Sequence, residues 1–113
     1  MSDTPNSARL HIEEGESFLE TIREIEHDGH TFLLKRPVPV CVSLDDDFWG
    51  YESQDFGIIA YGATRDAALR SFSEDFSALY DHLARETNDN LTPDAIRIKQ
   101  AFSETVESVV EHP

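Results

Sequence analysis

The sequence predicts an α+β fold: an antiparallel sheet of four or five strands, one long helix on its face, and a second helix after it. Three observations carry this. The run Phe56-Gly-Ile-Ile-Ala-Tyr-Gly-Ala-Thr64 leads straight into an amphipathic stretch from Arg65 to Leu83. Val38, Val40, Val42 and Leu44 alternate with Pro39, Cys41 and Ser43, the period of a strand with one buried face. Thr92-Pro93-Asp94 opens a second apolar stripe with a hydroxyl cap and a proline at the first helical position. The chain has 113 residues, 39% of them apolar, with seven Phe, three Tyr and one Trp. That is enough for one core and too little for two.

Taken in order, residues 1 to 9 are polar, contain Pro5, and are expected to form a disordered tail; residues 10–113 form the domain. Residues 10–36 admit two readings. Phe18, Ile22 and Ile25 fit a helical face, whereas Asp28-Gly29 between Arg23–His27 and His30–Lys35 is a tight-turn signal. The favoured reading is a short helix or extended lead-in to about Glu20, then strands near 22–27 and 30–35. Pro37 and Pro39 place the next strand at an edge or at its own start, because neither donates to a ladder. Asp45-Asp46-Asp47 makes a turn, Phe48–Glu52 a strand, and Ser53-Gln54-Asp55 a link to the organising strand.

That strand, Ile58 to Tyr61, is apolar at every position and reads as covered on both faces. Gly62 ends it by allowing a sharp turn. Thr64 caps the helix that follows, and Asp66 suits its positive end. Leu69, Phe72, Phe76, Leu79 and Leu83 then form one stripe. Asp66/Arg70 and Asp81/Arg85 are spaced as i,i+4 ion pairs. After a polar loop, a C-terminal helix over 92–110 carries a stripe through Ala95, Ile98, Phe102, Val106 and Val109. Phe102, Val106 and Val109 would be its packing face, against the core or between subunits.

The order of these pieces resembles the HicB-like antitoxins over about residues 38–85. An aromatic-containing hairpin precedes a strand ending in Gly-x-Thr and a helix that opens with an acid and Ala-Leu. The matching positions are Gly57, Gly62, Thr64, Asp66, Ala68 and Leu69. The resemblance implies a β-β-β-α core with its helix on one sheet face, and a protein that binds and masks a small basic ribonuclease toxin. It also implies a homodimer or higher oligomer. Family members often add a DNA-binding unit at the C-terminus. Here that segment carries only Arg97 and Lys99 as basic residues, which argues against direct DNA binding.

Charge agrees independently with a basic partner. Asp and Glu total 23 against nine Lys and Arg, a net charge of −14. The acids are spread along the chain, which disfavours phosphate binding and favours steering toward cations. Asp45, Asp46, Asp47, Glu52 and Asp55 are the expected partner-binding acids.

Catalytic patterns are sparse. Neighbouring carboxylates at Asp45–Asp47 could hold Mg²⁺ for a weak metal-dependent nuclease. Three acids in a row also make an exposed hairpin turn, and that reading is preferred because a metal site needs convergence from separate elements. His27 and His30 flank a turn without a clear third ligand. Cys41, the single cysteine, forms no internal disulfide. The expectation is a non-enzymatic antitoxin or regulatory protein without cofactor; the alternatives are a stand-alone interaction module and the nuclease. No apolar run approaches the ~18 residues of a membrane span. The N-terminus lacks the regions of a signal peptide, so a cytoplasmic location is expected.

Overall fold

A computed structural model describes residues 16–112; the expected disordered tail lies outside them. The fold is α+β, as predicted. Strands β1 (Ser17–His27), β2 (His30–Asp45), β3 (Phe48–Ser53) and β4 (Ile58–Gly62) form a meander, followed by helices α1 (Arg65–Arg85) and α2 (Pro93–Thr105) and strand β5 (Val106–Glu111). The sheet is antiparallel in the order β1-β2-β3-β4, with β5 paired to β2.

The Asp28-Gly29 turn is as expected, both residues having positive φ. Among the described residues the lead-in to it is extended, β1 beginning at Ser17; the part of the expected lead-in over residues 10–15 lies outside them. Ile22 and Ile25 both face the core despite a spacing of three, since the ladder is broken between them. Arg23 stands alone against Leu34–Pro37 of β2. The irregularity flips the side-chain alternation and houses Pro37 where no ladder bond is needed. β2 is therefore one extended segment, not two strands, with its pairing interrupted where the prolines begin.

The helix expected over 92–110 ends at Thr105. Val106 and Val109 lie on β5, set against Leu34 and Phe32 of β2, with Glu107 as an extra residue in the ladder. The first half of β2 would otherwise present an unpaired edge beside the β1 hairpin, and Val106-Glu-Ser-Val-Val110 has the β-branched content to fill it. Both valines are half-buried against the core and Phe102 is 4% exposed. This triplet is thus an intramolecular packing surface.

Both helices cover one sheet face. Thr64 Oγ1 accepts from Ala67 N at 3.0 Å and Thr92 Oγ1 from Ala95 N at 3.1 Å, so both predicted caps form. Ala68, Phe72, Phe76 and Leu83 are the buried ridge of α1, with Leu69 and Leu79 at its margins. Phe76 touches Phe32, Phe56 and Phe102 edge-on, with centroids 4.9–5.3 Å apart. Lys99 Nζ donates to the carbonyl of Glu86 just past α1, at 2.6 Å, and holds α2 to α1. Asp81–Arg85 pairs at 3.1 Å; Asp66–Arg70 does not form an ion pair.

Two expectations about the organising strand are corrected. Only one face of β4 is covered: Ile58 and Ala60 are buried, while Ile59 and Tyr61 are 55% and 62% exposed. Both helices lie on the first face. Gly62 is required for a different reason as well, since its φ is not positive. A Cβ there would sit 2.3 Å from Ala68 N and 2.6 Å from Ala67 C, so it is the close approach of α1 that excludes a side chain. In this stretch the glycine that supplies positive φ is Gly57, at 65°.

Candidate functional site

The helix-free face of the sheet is where exposed apolar and acidic side chains meet. Strand alternation and register build it row by row. Asp45 faces Phe48; Ser43, Gly50 and Tyr61 form the next row; Leu19, Cys41, Glu52 and Ile59 form the third. Leu19 is 81% exposed and Phe48 54%. No Lys or Arg occurs in these three rows. Tyr61 lies across Gly50, where an added Cβ would meet its ring at 3.2 Å. The ring shields a backbone that has no side chain of its own.

The expected partner-binding acids fall into two groups. Glu52 and Asp55 line one hollow of about 350 Å³ together with Leu19, Pro39, Cys41 and Gln54. Asp45, Asp46 and Asp47 lie at the opposite end, at the β2–β3 turn, where Asp46 and Asp47 take positive φ. Four strand steps separate Asp45 from Cys41, the residue opposite Glu52, so the groups stand ~13 Å apart along the sheet. A hollow with two carboxylates beside an exposed leucine suits a lysine or arginine, whose stem would lie on Leu19 and Pro39.

Among the described residues no three His, Cys, Asp or Glu side chains converge as a metal-ligand set. His27 faces His30 across the hairpin; His30 Nε2 lies 3.8 Å from Glu111, and His112 Nε2 bonds Thr31 Oγ1 at 2.9 Å. These contacts fasten the end of β5 to the hairpin. Lys99 is engaged as above, and Arg97 pairs with Asp94 and donates to Asp55 O. No helix of the described residues is long and apolar enough to cross a membrane.

Sequence reasoning missed Arg65, the first residue of α1. Its guanidinium donates to Glu20 at 2.6 Å and to the Tyr51 hydroxyl at 3.2 Å. It lies 5.1 Å from the Phe18 ring centroid and 5.9 Å from that of Trp49. One cation thus ties β1, β3 and the start of α1 together, and Trp49 and Tyr51 serve this clamp and the core. No local spacing reveals it, because Glu20 is 45 residues away.

Burial pushes the Tyr51 phenol above its ordinary value of 10.0, against the lowering effect of the Arg65 hydrogen bond. For Arg65, burial acts downward, but its bonds to Tyr51 and Glu20 raise it overall. A phenol raised in the folded state contributes stability that is whole below about pH 10 and lost as pH climbs through the higher folded value. Denaturant titrations above pH 10 should therefore show stability falling more steeply in the parent than in Tyr51→Phe. Equal slopes would remove Tyr51 from the alkaline transition.

Comparison of the chain with protein-family models, with curated proteins and with solved structures finds no match in any of the three.

Proposed function

We propose that the chain is a non-enzymatic binding protein that occludes a small basic ribonuclease, in the manner of the HicB-like antitoxins that residues 38–85 resemble. The observation that carries this reading is the helix-free sheet face. There Leu19, Ile59, Tyr61 and Phe48 stand exposed among Asp45, Glu52 and Asp55, with no cation in the same rows. Apolar side chains supply contact area, and the acids steer a basic surface onto it and fix its register. Occlusion needs no catalytic group on this chain.

The test is kinetic and uses a purified small basic ribonuclease encoded beside this chain. The chain should suppress RNA cleavage at stoichiometric ratio. Association should slow on the order of tenfold between low and physiological salt, with dissociation changing less. Asn at all three of positions 45, 46 and 47 should slow association in the same sense. Glu52→Gln and Leu19→Asp, in the hollow itself, should instead speed dissociation. An association rate indifferent to both salt and the Asn replacements would remove the acidic surface from binding.

A further inference from the structure

The long strand β2 is incompletely flanked. β1 runs along one side of it, with the break at Arg23. On the other side β5 covers His30 to Leu34 and β3 covers Cys41 to Asp45. Among the described residues no strand lies beside 35–40 there, which leaves a gap of at most about 23 Å between Leu34 and Cys41. Leu44 N donates to Glu16 O, so Val38, Val40 and Val42 turn their main-chain groups toward β1 and Pro39 turns its carbonyl toward the gap. As a proline it brings no N–H, so at this point the gap accepts a main-chain hydrogen bond and donates none.

Two hollows meet at the gap, sharing Pro39 and Asp55. The one on the helix-free face, with Leu19 and Glu52, contains no cation. The other, of about 550 Å³, opens on the helix side and holds Arg36, Arg97 and Glu104 above Val38 and Phe56. Arg36 Nη2 donates to Glu104 at 2.7 Å, and the guanidinium carries further N–H groups beyond that bond.

We propose that this gap is a docking slot for an extended peptide segment of another protein, one in which a basic residue stands next to an acidic one. Successive side chains of an extended chain leave on opposite faces. The basic side chain enters the helix-free hollow between Glu52 and Asp55, and its acidic neighbour reaches Arg36 on the helix side. A peptide N–H donates to the Pro39 carbonyl. Charge and geometry together select this occupant. A small ligand fills one hollow alone, whereas an extended chain serves both, and a second copy at −14 is repelled by the first. The basic residue is the one that the ribonuclease reading already sets against Glu52 and Asp55, and the slot rests on that reading for it. The acidic neighbour and the main-chain bond are new, and neither requires a ribonuclease.

The test is a nuclear magnetic resonance titration of the full chain with two isomeric peptides, each acetylated and amidated at its ends. Thr-Val-Lys-Glu-Val-Thr puts its charges on opposite faces when extended; Thr-Lys-Val-Glu-Val-Thr puts them on one face. The first should shift the amides of Arg36, Val38, Val40 and Phe56, and the second should bind severalfold more weakly, because one of its charges meets a like charge or none. Arg36→Glu and Glu52→Lys, both at exposed positions, should each weaken the first peptide severalfold while circular dichroism stays parental. Equal affinity for the two isomers overturns the proposal. So does an absence of shifts at millimolar peptide, shifts confined to other strands, or indifference to both variants. A chain that takes the first peptide yet inhibits no ribonuclease keeps the slot and loses the occlusion reading; inhibition without peptide binding loses the slot alone.

Discussion

Phe102→Asp should leave the chain without a cooperative unfolding transition at 25 °C. Phe102 is 4% exposed, with its ring 4.6 Å from Phe56, 4.9 Å from Phe76 and 5.5 Å from Tyr80. It is where α2 meets α1 and the turn between β3 and β4, so its loss loosens three segments at once. Truncation alone, Phe102→Ala, should cost about 3–5 kcal/mol. A carboxylate in the same place adds a desolvation cost of several kcal/mol, since Lys99, which lines the same hollow, is already held at the Glu86 carbonyl. The total is comparable to the 5–15 kcal/mol that stabilises a typical domain. Urea titration followed by circular dichroism checks both variants: a lowered midpoint for alanine, no native baseline for aspartate. Parental midpoints would mean that α2 is not fastened through this ring.

Gly62→Ala should lower stability by about 3 kcal/mol or more, although its backbone conformation suits any residue. The obstacle is steric, and it consists of backbone atoms at Ala67 and Ala68 that cannot swing aside. α1 would have to move off β4 at the end that Thr64 caps and Arg65 clamps. Gly57→Ala is the contrasting case. Its Cβ would meet only Ile98 Cδ1 at 3.6 Å, so the cost is the positive φ alone, about 1–2 kcal/mol. Thermal unfolding of the two single variants should rank Gly62→Ala well below Gly57→Ala. The reverse order would mean that conformation, not close approach, fixes both glycines.

Legibility in the sequence followed how local the cause was. The Asp28-Gly29 turn, the Thr64 and Thr92 caps, the α1 stripe and the alternation from Val38 to Leu44 each arise within a few residues. Each was readable for that reason. Val106/Val109 were not, and Ile22/Ile25 were placed on a strand only by the turn signal beside them, for one shared cause. A spacing of three puts two residues on one face of a helix, and an irregular ladder puts them on one face of a strand just as well. Periodicity is identical in the two cases. What separates them is whether an unpaired edge lies alongside, as the first half of β2 does for β5. The candidate site divides the same way. Its acids and aromatics were visible as residue types, and the turn at Asp45–Asp47 was placed correctly. Ile59 and Tyr61 read as buried because composition cannot say how many sheet faces the helices cover. Tertiary structure put both helices on one face, gathered Glu52 and Asp55 at a hollow with Leu19, and held Asp45–Asp47 at the other end. It also joined Arg65 to Glu20. The physical reason is that these contacts cross between elements distant in sequence, so only the folded arrangement brings them together.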